Sequence, residues 1–175
     1  HGMVLSASRG LDGESQLRRV CFLPLIYHVG DQFLTMAALV AGGSLVIGRR
    51  QDPQAVADAV VKHQATAIWG GAPQSIKQIS LALEQRAPQH KTLSVIVYGW
   101  GAVEPEVLTR LERWTRPGFQ LVGIFGQTEA CACHRFWPVE QRERFEAAGS
   151  ARNYVGVPSP LLAPKVPDDA GDDLG

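Results

Sequence analysis

The chain has 175 residues, 45% of them hydrophobic and 19% charged, with 17 basic side chains against 17 acidic ones. A chain of this length buries roughly two-thirds of its unfolded surface, and such an apolar fraction excludes global disorder. Zero formal net charge removes any bulk electrostatic case for nucleic acid or an anionic membrane as partner.

Residues 1–15 mix small, polar and apolar side chains without a cationic start and an apolar core, so they do not read as a cleavable signal. The first apolar run, Val20-Cys21-Phe22-Leu23, is stopped by Pro24 and reads as a strand. Residues 33–41 (Phe33, Leu34, Met36, Ala37, Leu39, Val40) read as a buried helix ended by Gly42-Gly43, a left-handed stop. That glycine pair also splits the longest uncharged run, Gln32 to Gly48, into helix-like and strand-like halves, which excludes a membrane span. Ser44 to Ile47 is the next strand.

Asp52-Pro53 supplies a cap residue and a first-turn proline for a helix in which Val56, Ala59, Val60 and His63 recur at helical spacing. Thr66 to Trp69 reads as a strand, and Ala72-Pro73 starts a helix carrying Ile76, Ile79, Leu81 and Leu83. Leu93 to Tyr98 is a continuous β-rich run, as expected of a strand buried on both faces. Pro105 opens a helix through Trp114 with Val107, Leu108 and Leu111 on one side, and Phe119 to Ile124 is a further strand. This alternation predicts an α/β fold: a mostly parallel sheet flanked by helices, Rossmann-like in character.

The last segment, 158–175, changes character. It holds Pro158, Pro160, Pro164 and Pro167, then Asp168, Asp169, Asp172 and Asp173 against a single Lys165. It cannot be a helix, and at most it holds a short strand near Leu161 to Val166. The expected division is therefore an α/β subdomain over 1–157 and a Pro/Asp-rich continuation over 158–175. Three cysteines (Cys21, Cys131, Cys133) form no disulfide framework, which favours a reducing, cytoplasmic location.

Two loops follow strands at the positions where open α/β sheets bind ligands. Gly123-Ile124-Phe125-Gly126-Gln127-Thr128-Glu129 offers an aromatic face, a glycine hinge, a hydroxyl and a carboxylate. Such groups can stack a base, donate to phosphate and hold Mg²⁺. The same residues also suit an ordinary turn, with Thr128 and Glu129 serving the first turn of a helix. Tyr98-Gly99-Trp100-Gly101-Ala102-Val103-Glu104-Pro105 permits close backbone approach to a flat ligand, or is simply a tight strand-to-helix turn opened by Pro105.

Together these loops resemble one family. GIFGQTE is similar to the aromatic-Gly-x-Thr-Glu motif of the adenylate-forming acyl-CoA synthetases, the AMP-binding superfamily, and GWGAVEPEVL resembles its GGAP-type adenine loop. LPLIYHVG (23–30), AGGSLVI (41–47) and YVGVPSPLLAPKV (154–166) match further family stretches in the same order, so the resemblance covers nearly the whole chain. It implies activation of a carboxylic acid by ATP to an acyl-adenylate, followed by transfer to a thiol, usually CoA.

Carried over by motif, Phe125 would stack on adenine, Thr128 would contact phosphate, and Glu129 would ligate Mg²⁺. Gly101, Ala102 and Val103, with Phe125, Gly126, Gln127 and Thr128, would bind ATP or AMP. His28 would sit at the acyl carboxylate and thiol entrance, with His28, Thr128 and Glu129 as the catalytic set. His28, Trp100 and Gly126 would line the acyl pocket.

The chain departs from the family at several of these positions. Phe125 stands where tyrosine is commoner, and Val103-Glu104 replace Pro-Leu. Gly126 occupies a place where acetyl-CoA synthetases carry tryptophan, which points to a fatty or bulky acyl group, although Trp100 can refill the pocket from the opposite loop. The family's phosphate loop precedes a His-Gly pair, here His1-Gly2, and its catalytic-lysine domain would follow Gly175. The expectation is a middle slice of a longer ligase, inactive alone, with the missing segments of the same parent chain as its partners. The same loops also serve non-ribosomal-peptide-type adenylation domains that load a carrier protein. A silent AMP- or acyl-binding module and a degenerate partner-binding scaffold are further alternatives.

Other groups read as structural. Cys131-Ala132-Cys133-His134 has metal-ligand types but too few for a closed zinc site. Phe136-Trp137-Pro138 and Trp114 read as packing. Glu140 to Glu146 (EQRERFE) reads as a solvated, charge-mixed face.

Overall fold

The computed structural model describes residues 18–23, 27, 30, 35–40, 42–127, 134–136, 141–148, 154–158, 163, 165 and 167–172. Seven strands form one sheet: β1 (Arg18–Cys21), β2 (Ser44–Ile47), β3 (Ala67–Gly71), β4 (Val95–Tyr98), β5 (Gln120–Phe125), β6 (His134–Phe136) and β7 (Val157–Pro158). Their order is β2-β1-β3-β4-β5-β6-β7. The first five run parallel, and β6 and β7 add to the β5 edge in antiparallel fashion. The described helices are α1 (Met36–Val40), α2 (Pro53–His63), α3 (Pro73–Arg86), α4 (Pro105–Trp114) and α5 (Arg142–Ala148). None is long and apolar enough to cross a membrane.

Local sequence sets the helix ends. Asp52 caps α2, its carboxylate accepting from the N–H groups of Gln54 and Ala55, with Pro53 in the first turn. Gln64 closes α2 and Ala87 closes α3, both in the left-handed conformation with their N–H groups donating to carbonyls of the last turn. Gly42 (φ +68) ends α1, its N–H donating to Leu39 O at 3.1 Å while Gly43 N–H reaches Ala38 O at 2.9 Å.

The period-two alternation of the strands divides the core in two. Val20, Ile68, Ile96, Tyr98 and Leu121 face the layer formed by α2, α3 and α4, where Val56, Val60, Ile76, Ile79, Leu83, Leu108 and Leu111 meet them. Cys21, Ala67, Trp69, Val95, Val97 and Val122 face the opposite side, with Ala38 of α1. β4 is buried at all four positions, as its unbroken apolar run predicts.

Several elements differ from expectation. The first strand begins at Arg18 and ends at Cys21, two residues earlier than its apolar run, because Arg18 and Thr66 lock the ladder: Thr66 N–H donates to Arg18 O at 2.8 Å and Arg18 N–H donates to Thr66 Oγ1 at 2.9 Å. This draws Arg19 into the interior, where burial depresses its guanidinium pKa to about 10. The helix expected over 33–41 is described at Met36–Val40 and is not buried as a whole. Ala38 is buried while Met36, Leu39 and Val40 are exposed, because the helix lies beside the sheet-edge strand β2. The strand expected at Thr66 to Trp69 runs on to Gly71, past a register shift between Trp69 and Gly71.

Last, β6 and β7 are strands that the sequence pattern does not announce, being too short for an alternation to show. Of the strand expected near 161–166, positions 163 and 165 are not in a strand, and 161, 162, 164 and 166 lie outside the described residues. The expected division between 157 and 158 falls within β7. The EQRERFE stretch does contribute a helix, α5, with Phe145 as its buried anchor.

Candidate active site

The carboxyl ends of β3, β4 and β5 lie side by side, since β4 pairs in register with both neighbours. Three loops therefore share one rim: Gly70-Gly71-Ala72, Gly99 to Glu104, and Phe125-Gly126-Gln127. Gly99 N–H donates to Gly71 O at 3.2 Å and joins the first two. The register of the β3–β4 ladder shifts between Trp69 and Gly71, at the same rim. Gly71 has φ +80, which favours glycine on backbone grounds, and a Cβ there would fall 2.0 Å from Gln51 Nε2. The loop after β2 thus reaches the same rim.

On the second loop, Trp100 has φ +67 and is 68% exposed. Its ring meets the buried Trp69 edge to face, centroids 5.4 Å apart and planes at 88°. Gly101 and Ala102 are partly exposed, while Val103 is fully buried. The Val103 side chain belongs to the helix-side core with Val107 and Leu108, so the adenine contact expected of it can come only from its backbone. Glu104 precedes Pro105 at the start of α4 but does not cap the helix with its side chain. Instead it accepts from Lys77 Nζ of α3 at 2.8 Å and 3.1 Å, which anchors the loop.

On the third loop, Phe125 is half-exposed, and Gly126 and Gln127 are exposed. Thr128, Glu129 and His28 lie outside the described residues, as do 131–133 of the Cys-Ala-Cys-His run. Of the expected site residues, the structure brings together Trp100, Gly101, Ala102, Phe125, Gly126 and Gln127 on one rim. Sequence reasoning passed over Gln51, Gly71 and Ser75. Gln51 Nε2 and Ser75 Oγ are buried with no hydrogen-bond partner among the described residues. Both residues flank Gly71, with Ser75 Cβ 3.3 Å from the position a Cβ at 71 would take. Only the Gly70-Gly71 pair hints at this place in the sequence. Tyr98, beneath the rim, is buried, and its phenol pKa is raised by that burial. Among the described residues no three His, Cys, Asp or Glu side chains form a group that could hold a metal ion.

Compared with known proteins, residues 1–175 match the AMP-binding enzyme family throughout. The chain belongs to the AMP-binding enzyme family. No curated protein matches it in sequence. The amide bond synthetase McbA from Marinactinospora thermotolerans shares 22% identity at a TM-score of 0.73, over 99% of this chain and 34% of McbA. The O-succinylbenzoate coenzyme A synthetase MenE from Bacillus subtilis, solved with ATP and magnesium, shares 20% at a TM-score of 0.72, over 99% of this chain and 34% of that enzyme. A luciferase-like enzyme from the nonluminescent mealworm Zophobas morio shares 18% at a TM-score of 0.71, over 99% and 39% respectively. At these identities the likeness is one of fold, and the chain spans about a third of the length of such structures. The α/β fold with five parallel strands is thus that of the N-terminal domain of adenylate-forming enzymes.

Proposed function

We propose that the protein carrying this chain is a ligase that activates a carboxylic acid with ATP and passes the acyl group to a thiol, with CoA as the acceptor. The observation that carries this reading is the rim itself. In-register pairing of β4 with β5 puts the Gly99–Glu104 loop beside Phe125-Gly126-Gln127, the two stretches whose sequences resemble the family's adenine and aromatic-Gly-x-Thr-Glu loops.

In the first step a carboxylate oxygen attacks the α-phosphorus of ATP, an O–P bond forms, and pyrophosphate leaves. In the second the thiol sulfur attacks the acyl carbon and releases its proton to water, and AMP leaves with the electrons of the broken C–O bond. Neither step needs a protein nucleophile. Both gain from positioning and from neutralisation of charge at phosphate. In this reading Phe125 offers its face to adenine, the backbone of Gly101, Ala102 and Val103 lies along the base, and Gly126 and Gln127 border the phosphates. Thr128 donates its hydroxyl to phosphate, and His28 stands at the thiol entrance. Glu129 is the proposed metal ligand. A single protein carboxylate with phosphate oxygens suffices for Mg²⁺, which when bound neutralises phosphate charge. In this reading residues 1–157 carry the nucleotide- and acyl-binding part.

The test is acid-dependent exchange of pyrophosphate into ATP by the whole protein. Exchange that rises with a carboxylic acid and falls at least a hundredfold in Glu129→Gln supports the reading. Unchanged exchange in that variant removes the metal role. AMP release on adding CoA, compared with a carrier protein, identifies the acceptor.

A further inference from the structure

We infer that Trp100 is a specificity-determining residue that selects planar, aromatic carboxylic acids by offering its ring face to the acyl group. This rests on the proposed ligase reaction. Among described residues other than glycine, three have positive φ: Gln64, Ala87 and Trp100. The first two close helices, where the left-handed conformation supplies the stop. Trp100 closes nothing. It lies in a strand-to-helix loop, between two glycines that would take the same backbone without strain.

Nor does burial justify the residue, because 68% of it faces solvent. The ring is nevertheless fixed, edge to face with Trp69, which is itself 2% exposed and packed among Val95, Val97 and Val122. A strained, exposed but immobilised indole suits a ligand-facing wall better than a folding element. Its position agrees: the ring stands on the face of the sheet opposite α2, α3 and α4, one strand from the half-exposed Phe125. One aromatic residue is thus left for the nucleotide and one for the acyl group. On that side the described side chains behind the ring, Trp69 and Val97, are buried and Ile124 is partly exposed, and none of them carries a charge. A rigid π-face rewards a flat ring, which loses little freedom on stacking, more than a flexible alkyl chain, which must be ordered to lie against it.

The test compares benzoic and cinnamic acids with hexanoic and octanoic acids in the whole protein, by pyrophosphate exchange and by calorimetric titration. The native protein is expected to favour the aromatic acids at least tenfold in kcat/KM. Trp100→Gly, which relieves the backbone strain and should fold, is expected to cut that preference roughly tenfold through KM, about what one aromatic pair contributes. Trp100→Phe should keep it within about threefold, since a ring face remains. A native preference for linear acids, or the same preference in Trp100→Gly, overturns the inference. If no acid drives exchange, the ligase reading fails. Trp100 is then judged by titration alone, where tighter binding of benzoate than hexanoate, lost in Trp100→Gly, sustains it and equal binding overturns it.

Discussion

Asp58 and Arg86 lie 28 residues apart in sequence and 2.6 Å apart in space, Arg86 Nε donating to Asp58 Oδ1. The pair joins the middle of α2 to the last residue of α3. Arg86 also donates to Gln54 Oε1 and O and to Ala82 O, so one guanidinium ties two helices into the layer behind the sheet.

This hydrogen bond holds the Asp58 carboxyl below its ordinary value of 3.8. A carboxylate with a depressed native pKa adds stability above its unfolded value and loses it as the pH falls through the native one. Asp58→Asn should therefore lower the urea midpoint at pH 7 and make no difference once the pH has passed below the native pKa. Asp58 is mostly exposed, so the loss should stay under about 1 kcal/mol and shrink in 1 M salt. Urea titrations of both proteins at pH 7, 4 and 2.5 check it.

Gly70 and Gly118 should respond oppositely in kind to alanine. A Cβ at Gly70 would fall 2.8 Å from Ile76 Cγ1 and 2.9 Å from Ile96 Cγ2. Gly70→Ala should then cost about 1–3 kcal/mol through overpacking, and Gly70→Ala with Ile76→Val should recover part of it. Gly118 has φ +79 and open space around it, so Gly118→Ala should cost about 1 kcal/mol of backbone strain alone, with no rescue from any neighbouring truncation. Thermal unfolding of the four proteins decides between the two mechanisms.

Val103 and Phe125 belong to the same proposed nucleotide site but should separate in assay. Val103→Thr places a hydroxyl among Val107 and Leu108 and should lower stability by about 1–3 kcal/mol, with KM for ATP changed less than about twofold, on the same reasoning that its side chain does not reach the site. Phe125→Ala should leave the melting temperature nearly unchanged and raise KM for ATP roughly tenfold, the loss expected of one base–aromatic stack. Equal effects of the two substitutions on KM would place Val103 in contact with nucleotide.

The sequence alone determined α2, α4, β2 and β4, because the signals for each lie within a few residues. Asp52-Pro53 and Pro105 mark helix starts, apolar spacing marks the buried side, and an unbroken apolar run marks a doubly covered strand. The two loops of the proposed site were legible for the same reason, as glycine-bearing stretches directly after strands. Tertiary structure decided what depends on pairing across long separations. Thr66 and Arg18, 48 residues apart, set where β1 begins and draw Arg19 inside. The antiparallel edge of β6 and β7 exists only because β5 offers it a partner. Val103 faces the core and Trp100 the solvent, although both occupy one loop with no period to tell them apart. Gln51 and Ser75 meet at Gly71 only once α2 and α3 have packed behind β3. Local backbone preference writes the elements, and the order in which strands pair decides which side chains share a rim.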